Sequence, residues 1–427
     1  MKTVYHYPEN ISVFKDKVLQ WAASKEVACF LNSNQYSDRY SAFDTLIAAD
    51  VLHEVDSYKD EGFKKLEFFL SQYNCWIPGF LSYDLKNELE DLSSENPDHL
   101  QFPDLFFFVP RHLIIIRGNI VEIQSPDATE LAQLIEKETV RDVPIFFKGS
   151  VKSRFSKASY IDTVHQIKRH IARGDIYEVN LCQEFYATDA KLDPVTAFKL
   201  LNNLSPAPFS VFFKLRKQFI ISATPERFLC RRDNKLISQP IKGTSARGGN
   251  AETDKFLKDE LKNNEKERSE NVMIVDLVRN DLTRCAIPGT VEVEELFGIY
   301  TFRHVHQMIS TVVCQADPSL QNAEIVKRTF PMGSMTGAPK VSAMELIEQY
   351  ELTKRGVFSG AVGYFAPGGD FDFNVVIRTL LYNEENGYLS FQAGSAITFA
   401  SDASKEYEEC ILKAKAIFSI LNQSIEC

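Results

Sequence analysis

Two segments decide how this chain is organised: Gln239-Pro-Ile-Lys-Gly-Thr244 and Glu265-Lys-Glu-Arg-Ser-Glu-Asn-Val-Met-Ile-Val-Asp-Leu-Val-Arg-Asn-Asp-Leu282. The first places Lys242 after an apolar run that a proline interrupts, so we expect its amine to be partly removed from water. In the second, a charged helix start turns apolar, so Glu270 lies where solvent gives way to core. Because burial raises the pKa of a carboxyl and lowers that of an amine, both side chains are candidates for chemistry.

The composition predicts a globular, sheet-rich protein and argues against a nucleic-acid partner. The chain has 427 residues, of which 44% are hydrophobic and 32 are phenylalanine, so a large core is available. Its net charge of −10, without a cluster of basic residues, does not suit binding to phosphate backbones. An anionic substrate must therefore be held by a few locally placed cations.

The cysteines and the N-terminus give no sign of secretion or of a metal framework. The eight cysteines contain no Cys-x-x-Cys pair, which predicts neither a zinc site nor disulfides. The first residues lack the basic and apolar pattern of a signal peptide, and no apolar run is long enough to cross a bilayer. We expect a cytoplasmic protein without membrane partners.

Residues 1–150 are predicted to alternate short strands and helices, without catalytic spacing. Phe102–Val109 and Leu113–Arg117 have the pattern of two strands joined by a short turn. Residues 149–156 are polar and basic, which makes a boundary near residue 150 plausible.

The segment from Tyr160 onward predicts a helix followed by a strand. Apolar residues recur at helical spacing from Ile161 and Gly174 supplies the stop, while Ile176–Phe185 alternates in the manner of a strand. One face of that strand carries Glu178 and other polar residues, and the simplest interpretation is a sheet with one solvated side.

A predicted hairpin of Ser210–Lys214 and Gln218–Ala223 leads into Thr224-Pro-Glu-Arg227. Glu226 follows a strand end, where sheet proteins often place catalytic groups, although an exposed turn is the commoner explanation. The polar, glycine-rich residues 246–254 are either a mobile loop over a site or an ordinary surface loop.

The segment from Phe330 to Tyr350 predicts a helix N-terminus that could bind an anion. Thr336 is a suitable N-cap, Pro339 suits the first turn, and Lys340 adds a positive charge. The alternative is an ordinary, well-capped helix.

The C-terminal part predicts a sheet followed by a helix that carries charged residues. Arg378 falls within the expected strand Phe371–Tyr382, where it requires a carboxylate from the protein or from a ligand. Glu406, Glu409 and Lys413 share one helical stripe, which could simply be solvated.

Taken together, these segments resemble the chorismate-utilising enzymes. The resemblance is strongest from about Tyr160 to Ile420 and is carried by these motifs: Gly174-Asp-Ile-Tyr-Glu-Val-Asn-Leu181, Thr224-Pro-Glu-Arg227, Pro240-Ile-Lys-Gly-Thr244, Val275–Leu282, Gly337-Ala-Pro-Lys340, Ile377-Arg-Thr379 and Glu406-Tyr-Glu-Glu409. It implies an α+β fold, a large two-subdomain antiparallel β-sandwich with helices packed outside. Residues 1–150 would form its N-terminal region and residues 151–427 its chorismate-binding catalytic region.

The resemblance also implies roles for individual residues. Mg²⁺ would be held by Glu270 and Glu406, with Glu409 close by, and would bind the ring carboxylate of chorismate. Glu226 would be the general acid, and Lys242 would attack the ring at C2 as a neutral amine. The other residues implied in substrate binding are Arg378, Thr244, Ser334, Gly337, Ala338, Pro339, Lys340, Gly394, Ala396, Lys413 and Glu178.

Within the family, the lysine at position 242 is typical of the aminodeoxychorismate branch, where anthranilate synthases have alanine. The resemblance therefore implies amination of chorismate at C4, with ammonia from solution or from a separate glutamine amidotransferase subunit. Anthranilate synthase component I and a catalytically silent chorismate-binding regulatory subunit are the alternatives. Three positions depart from the family pattern: Glu178 in place of glutamine, Gln307 in place of histidine and Phe358 in place of tyrosine.

Overall fold

A computed structural model describes residues 2–36, 38–140 and 144–424. The α-helices in this part of the chain are α1 (Ile11–Ala23), α2 (Gly62–Gln72), α3 (Ala128–Lys137), α4 (Lys157–Arg173), α5 (Pro194–Leu204), α6 (Ala251–Asn263), α7 (Glu265–Thr283), α8 (Asn322–Thr329), α9 (Lys340–Tyr350) and α10 (Ala403–Ile420). Short 3₁₀ helices span Tyr83–Glu88 and Gly333–Met335.

The strands are β1 (Lys2–His6), β2 (Val27–Asn32), β3 (Thr45–Ser57), β4 (Ile77–Leu81), β5 (Leu105–Arg117), β6 (Ile120–Ser125), β7 (Phe147–Lys148), β8 (Lys152–Ser153), β9 (Glu178–Ala187), β10 (Lys191–Leu192), β11 (Phe209–Leu215), β12 (Gln218–Thr224), β13 (Arg227–Arg232), β14 (Lys235–Gln239), β15 (Ile241–Ala246), β16 (Glu292–Thr301), β17 (Val305–Gln315), β18 (Gly337–Ala338), β19 (Ala361–Phe365), β20 (Phe371–Asn374), β21 (Thr379–Asn383) and β22 (Tyr388–Ile397). All the strand pairings between them are antiparallel.

Strands β3 and β5 form the corner at which two sheets meet. They pair along nearly their whole length, and their register shifts between Val51 and His53, with Pro110 opposite Val51. Such a bulge bends and twists a strand locally, and it is one of the few places within a sheet that tolerates proline. One pair of long strands therefore belongs to both sheets.

The two sheets run outward from this corner. The first has the order β1-β6-β5-β3-β2-β11-β12-β21-β22-β9, with β8 and β18 also paired to β9. The second has the order β3-β5-β4-β19-β20-β13-β14-β17, with β15 and β16 paired to β17. Strands from the predicted N-terminal and catalytic regions thus pair directly, as β2 does with β11.

The core has two parts because the strands are buried on both faces. Phe213 of β11 packs edge-on against Phe80 of β4 and Phe106 of β5, which fills the space between the sheets. The neighbouring residue Phe212 points the other way and packs against Phe198 of α5, in the layer between the first sheet and its outer helices. A strand buried on both faces is nearly continuously apolar, which explains the many phenylalanines.

Two expectations about local structure are confirmed and a third is corrected. Helix α4 ends at Gly174, whose φ of +87° suits glycine, and the hairpin of β11 and β12 turns at Arg216-Lys217. The loop expected at residues 246–254 is shorter than predicted, because β15 reaches Ala246 and α6 begins at Ala251.

Other expectations are wrong. Residues 105–117 form one continuous strand rather than two, because β3 pairs with it through Pro110. The polar face of β9 is buried rather than solvated: Glu184 pairs with Arg154 at 2.7 Å, and Arg355 donates to the carbonyl of Asn180 at 2.8 Å. Ion pairs and hydrogen bonds compensate the burial of these polar groups.

The seven described cysteines are free thiols, and Cys427 lies outside the described residues. Across the described ranges, none of the helices has the length and apolar character needed to cross a membrane. The cytoplasmic location and the boundary at residue 150 stay predictions.

Phe213→Ala is expected to lower the free energy of unfolding by about 3–5 kcal/mol, because it empties a fully buried site among other phenylalanines. Urea unfolding followed by tryptophan fluorescence measures this loss. Phe256→Ala is the matched control, since Phe256 is 66% exposed and its loss should change stability by less than about 0.5 kcal/mol. Equal effects of the two substitutions would contradict the assignment of the inter-sheet core.

Candidate active site

Glu226 lies in the two-residue connection between β12 and β13. Thr224 ends β12 and its hydroxyl donates to the carbonyl of Val375 at 2.6 Å, which fixes the connection against the segment that follows β20. Glu226 is buried, and burial raises the pKa of its carboxyl to about 7, although a hydrogen bond from Ser334 and the charge of Lys242 act in the opposite direction. A carboxyl that titrates near neutral pH can donate a proton to a substrate.

Lys242, on β15, forms an ion pair with Glu178, the first residue of β9. The Nζ–Oε1 distance is 2.9 Å, and the two side chains are 12% and 2% exposed. Burial lowers the pKa of Lys242, but Glu178, Glu270 and Glu226 together outweigh it and raise the pKa above its usual value. This setting favours the ammonium form of Lys242 over the neutral amine that the sequence predicts, because several carboxylates offset the desolvation.

Arg378 lies in the bend between β20 and β21 rather than within one continuous strand. Its φ of +51° is in the left-handed region that a non-glycine residue rarely adopts, and this backbone conformation interrupts the strand expected over Phe371–Tyr382. Within the described ranges its guanidinium forms neither a hydrogen bond nor an ion pair. Burial lowers its pKa, with the charge of Glu226 acting in the opposite direction. It is a positioned cation without a protein partner, which suits an anionic ligand.

Helix α7 presents Glu270 and Glu267 toward the same region. Lys266 lies 3.7 Å from Glu270, one helical turn away. Burial raises the pKa of Glu270 and Glu178 adds to this effect, while Lys242 and Lys266 lower it. Burial also raises the pKa of Glu267, and the Glu267 side chain lies close to Gly243.

Helix α10 supplies the second acidic group. Glu406 is 3% exposed and accepts a hydrogen bond from Ser395 on β22. Glu409 pairs with Lys413 at 2.8 Å, and Lys413 also donates to the carbonyl of Gly394 at 2.9 Å. Burial tends to raise the pKa of Glu409, but Lys413 outweighs it and the net pKa is lowered.

Carboxylates from both helices act on the same lysine without forming a complete metal site. Although burial acts the other way, the pKa of Lys266 is raised by Glu270, Glu406, Glu267 and Glu409 together, so all four act on the same ammonium. Among the residues described, no group of three or more potential ligands converges. Hard oxygen donors that fill only part of a coordination shell fit Mg²⁺, which keeps waters and binds through one or two carboxylates.

The segment before α9 differs from its prediction. Thr336 does not cap the helix: Pro339 occupies the N-cap position without a capping side chain, and residues 337–338 pair with β9 as β18. Lys340 does not face an open anion site, since its Nζ lies 2.7 Å from both carboxylate oxygens of Asp281. A Cβ on Gly337 would lie 2.1 Å from the carbonyl of Glu178, so close packing of β18 explains this glycine.

The remaining predicted contacts are spread around the same strands. Gly394 and Ala396 lie on β22 opposite Cys182 and Asn180 of β9, and a Cβ on Gly394 would lie 2.4 Å from the Cys182 sulfur. Other implied positions are partly or wholly exposed: Ser334 and Ala338 are half-buried, whereas Thr244 and Pro339 are exposed. Of the departures from the family pattern, Gln307 and Phe358 are both buried.

Sequence reasoning missed Lys266, Glu267 and Asp281. Lys266 and Glu267 were detectable, because their spacing to Glu270 places all three on adjacent turns of one helix. Asp281 gave no comparable signal, since its partner Lys340 is distant in sequence and only the fold brings the two together.

The chain belongs to the chorismate binding enzyme family, whose model matches residues 18–419. It is thus an enzyme of the class that takes chorismate as substrate. The structure resembles the crystal structure of anthranilate synthase component I from Streptococcus pneumoniae TIGR4, with a TM-score of 0.76, 26% identity and coverage of 89% of this chain and 95% of that one. The predicted fold class is confirmed.

Relatives in this family carry two different names. The chain is 35% identical to aminodeoxychorismate synthase component 1 of Klebsiella aerogenes, covering 79% of this chain and 75% of that protein. It is 32% identical to anthranilate synthase component 1 of Aquifex aeolicus, covering 81% and 74% respectively. Aminodeoxychorismate synthase of Streptomyces griseus is 35% identical over 81% of this chain, but the match spans only 50% of that protein's length.

Ser334→Ala is expected to raise the pKa of Glu226 further above neutral, because the lost hydroxyl stabilises the ionised carboxylate. Infrared difference titration of the protonated carboxyl band measures the pKa, with Glu226→Gln as the reference that lacks the band. Ser159→Ala, a serine at the N-terminus of α4, is the control and should leave the titration unchanged. A lowered pKa in Ser334→Ala would contradict the assigned contact.

Proposed function

We propose that this chain catalyses the amination of chorismate at C4 with ammonia, giving 4-amino-4-deoxychorismate for the synthesis of 4-aminobenzoate and folate. The observation that carries the proposal is the placement of Lys242 between Glu178 and the acid Glu226 in a family of chorismate enzymes. The 35% identity to aminodeoxychorismate synthase component 1 of Klebsiella aerogenes also supports it.

The proposed roles follow from the charges and protonation states in the site. Arg378 binds a substrate carboxylate, because its guanidinium has no protein partner and is held by the bend after β20. Glu226, whose pKa is about 7, carries the proton that the departing C4 oxygen requires. Lys242 attacks C2 while that oxygen leaves, and ammonia then adds at C4 as the lysine is displaced.

A divalent cation is part of the proposal because the carboxylates of α7 and α10 fit Mg²⁺. Glu270 and Glu406 would hold the ion, with Glu409 close by. When bound, the ion supplies positive charge for the ring carboxylate of the substrate. Lys266 lies among the same carboxylates and partly neutralises them in the protein itself.

Ammonia would come from solution or from a separate glutamine amidotransferase subunit. The sequence contains no Gly-x-Cys-x-Gly nucleophile motif of such an amidotransferase. We therefore assign to this chain the chorismate chemistry alone, in the cytoplasm.

Anthranilate synthase component I is the second candidate, because the Aquifex aeolicus relative that bears this name is nearly as similar as those of the other name. Both reactions begin with chorismate and ammonia, so identity alone does not separate them. Lys242 favours C4 amination, since a covalent route through C2 requires a nucleophile at that position.

The product of the purified chain with chorismate, Mg²⁺ and an ammonium salt tests this choice. We expect 4-amino-4-deoxychorismate by mass analysis, and at least a hundredfold loss of its formation in Lys242→Ala, because the attacking group is gone. Lys217→Ala is the control, since Lys217 is an exposed lysine on the β11–β12 turn. Formation of fluorescent anthranilate without an added lyase would overturn the proposal.

The turnover rate is expected to fall as the pH rises through about 7, because Glu226 must be protonated to donate. Glu226→Gln should abolish this pH dependence and reduce turnover by about 10²–10⁴-fold. Chorismate consumption measured from pH 5.5 to 9 in both proteins checks the assignment. A wild-type rate that rises steadily across this range would show that Glu226 is not the acid.

A further inference from the structure

Glu178 has one oxygen bonded to Lys242 and one oxygen without any partner. Oε1 accepts from Lys242 Nζ at 2.9 Å, while Oε2 is buried and has no hydrogen-bond partner among the described residues. The side chain is 2% exposed. An unpaired buried carboxylate oxygen is costly, which suggests that the group serves a reaction rather than stability alone.

The backbone holds Glu178 firmly in this position. It lies opposite Ala338 of β18, while the following residues of β9 pair with β22 on the other edge. Arg355 donates to the carbonyl of Asn180, two residues further along the same strand, at 2.8 Å. The carboxylate is thus fixed against the lysine by strands on both sides.

Glu178 is the acceptor that Lys242 contacts directly. Glu270 and Glu226 raise the pKa of Lys242 through their charge, and Glu267 and Glu409 also interact with it electrostatically, but the hydrogen bond is to Glu178. Glu226 must keep its own proton for the leaving oxygen. The lysine side chain is only 12% exposed, so a bound substrate leaves water little access to it.

We propose that Glu178 is a catalytic base, which takes the proton of the Lys242 ammonium as the amine attacks chorismate and returns it when the amine is released. This inference rests on the covalent role of Lys242 in the proposed function. The hydrogen bond of 2.9 Å gives the proton a direct path from Nζ of Lys242 to Oε1 of Glu178, within the reach that general base catalysis requires.

The proton balance closes over one cycle. Glu178 takes a proton from Lys242, and the amine lone pair forms the N–C2 bond to give a secondary ammonium. Both ring double bonds shift, from C1=C2 to C1=C6 and from C5=C6 to C4=C5, and the C4–O bond breaks as Glu226 protonates the oxygen to give water. Ammonia then forms the N–C4 bond, both ring double bonds shift back, and the C2–N electron pair returns to Lys242, which leaves as a neutral amine. Glu178 gives back its proton, and Glu226 takes one from the new C4 ammonium.

Glu178 could act as a catalytic base or only as a passive counter-ion, and these two roles predict opposite effects of Glu178→Gln. If Glu178 only stabilises the ammonium, its removal frees the amine and accelerates attack. If Glu178 accepts the proton, the amide cannot do so and attack slows. The isosteric amide still hydrogen bonds to Lys242, so the substitution separates the two roles.

The test follows the covalent adduct on Lys242 in the full chain, with chorismate and Mg²⁺ but without ammonia. Rapid-quench intact-protein mass analysis gives the rate of adduct formation from pH 6 to 9, and circular dichroism checks folding. The variants are Glu178→Gln, Glu178→Asp and the control Glu184→Gln, which removes a buried carboxylate of the same strand that pairs with Arg154 instead.

We expect Glu178→Gln to form the adduct about 100-fold more slowly than wild type at pH 7, and the ratio of the two rates to approach one as the pH rises, because hydroxide then removes the proton in place of Glu178. Glu178→Asp should restore part of the rate, and Glu184→Gln should match wild type. An equal or faster adduct in Glu178→Gln, or a slow one whose pH dependence is that of wild type, would overturn the inference. A wild-type chain that forms no adduct removes the covalent step of the proposed function and this inference with it.

Discussion

The buried ion pair between Arg355 and Glu351 determines where the site residues lie. Arg355 is 2% exposed and donates to both oxygens of Glu351, to the carbonyl of Asn180 and to the carbonyl of Met335. Glu351 also accepts from the backbone N–H of Cys182. One planar cation thereby joins β9 to the 3₁₀ turn that carries Ser334. Losing one partner of such a pair typically costs about 3–5 kcal/mol, so the two segments are rigidly coupled.

This coupling sets the electrostatics of the reactive groups. Ser334 reaches Glu226 from the turn, and Glu178 reaches Lys242 from the strand. Glu226 and Lys242 are both largely buried, yet the net effect on the pKa differs between them. Glu226 has a pKa of about 7 because burial exceeds the effect of its neighbours, whereas the carboxylates around Lys242 exceed the effect of burial. An acid and a cation thus coexist within one desolvated region.

The sequence predicts the parts of this arrangement that depend on local chemistry. The end of α4 at Gly174 and the β11–β12 hairpin follow from turn residues, whereas the motifs around Glu226 and Lys242 were recognisable only together with the other motifs and their order along the chain. The polar face of β9 was predicted to be solvated but is buried, because the residues that pair with its polar side chains lie far away in sequence. Arg378 was placed within a strand, since nothing local reports that the strand breaks there in a left-handed conformation. Contacts between residues far apart in sequence decide these features, and local sequence patterns do not show which distant residues will meet.

Lys242 shows why burial alone is an insufficient argument for reactivity. A desolvated amine favours its neutral form only where no carboxylate compensates, and here Glu178 contacts it while Glu270 and Glu226 add their charges. A lysine in this setting becomes neutral when a neighbouring carboxylate takes its proton, and not because burial lowers its pKa. A glutamine at position 178 could not accept a proton, whereas the glutamate there can, and its Oε1 lies 2.9 Å from Nζ of Lys242. Under our proposal, position 178 therefore decides how Lys242 loses its proton.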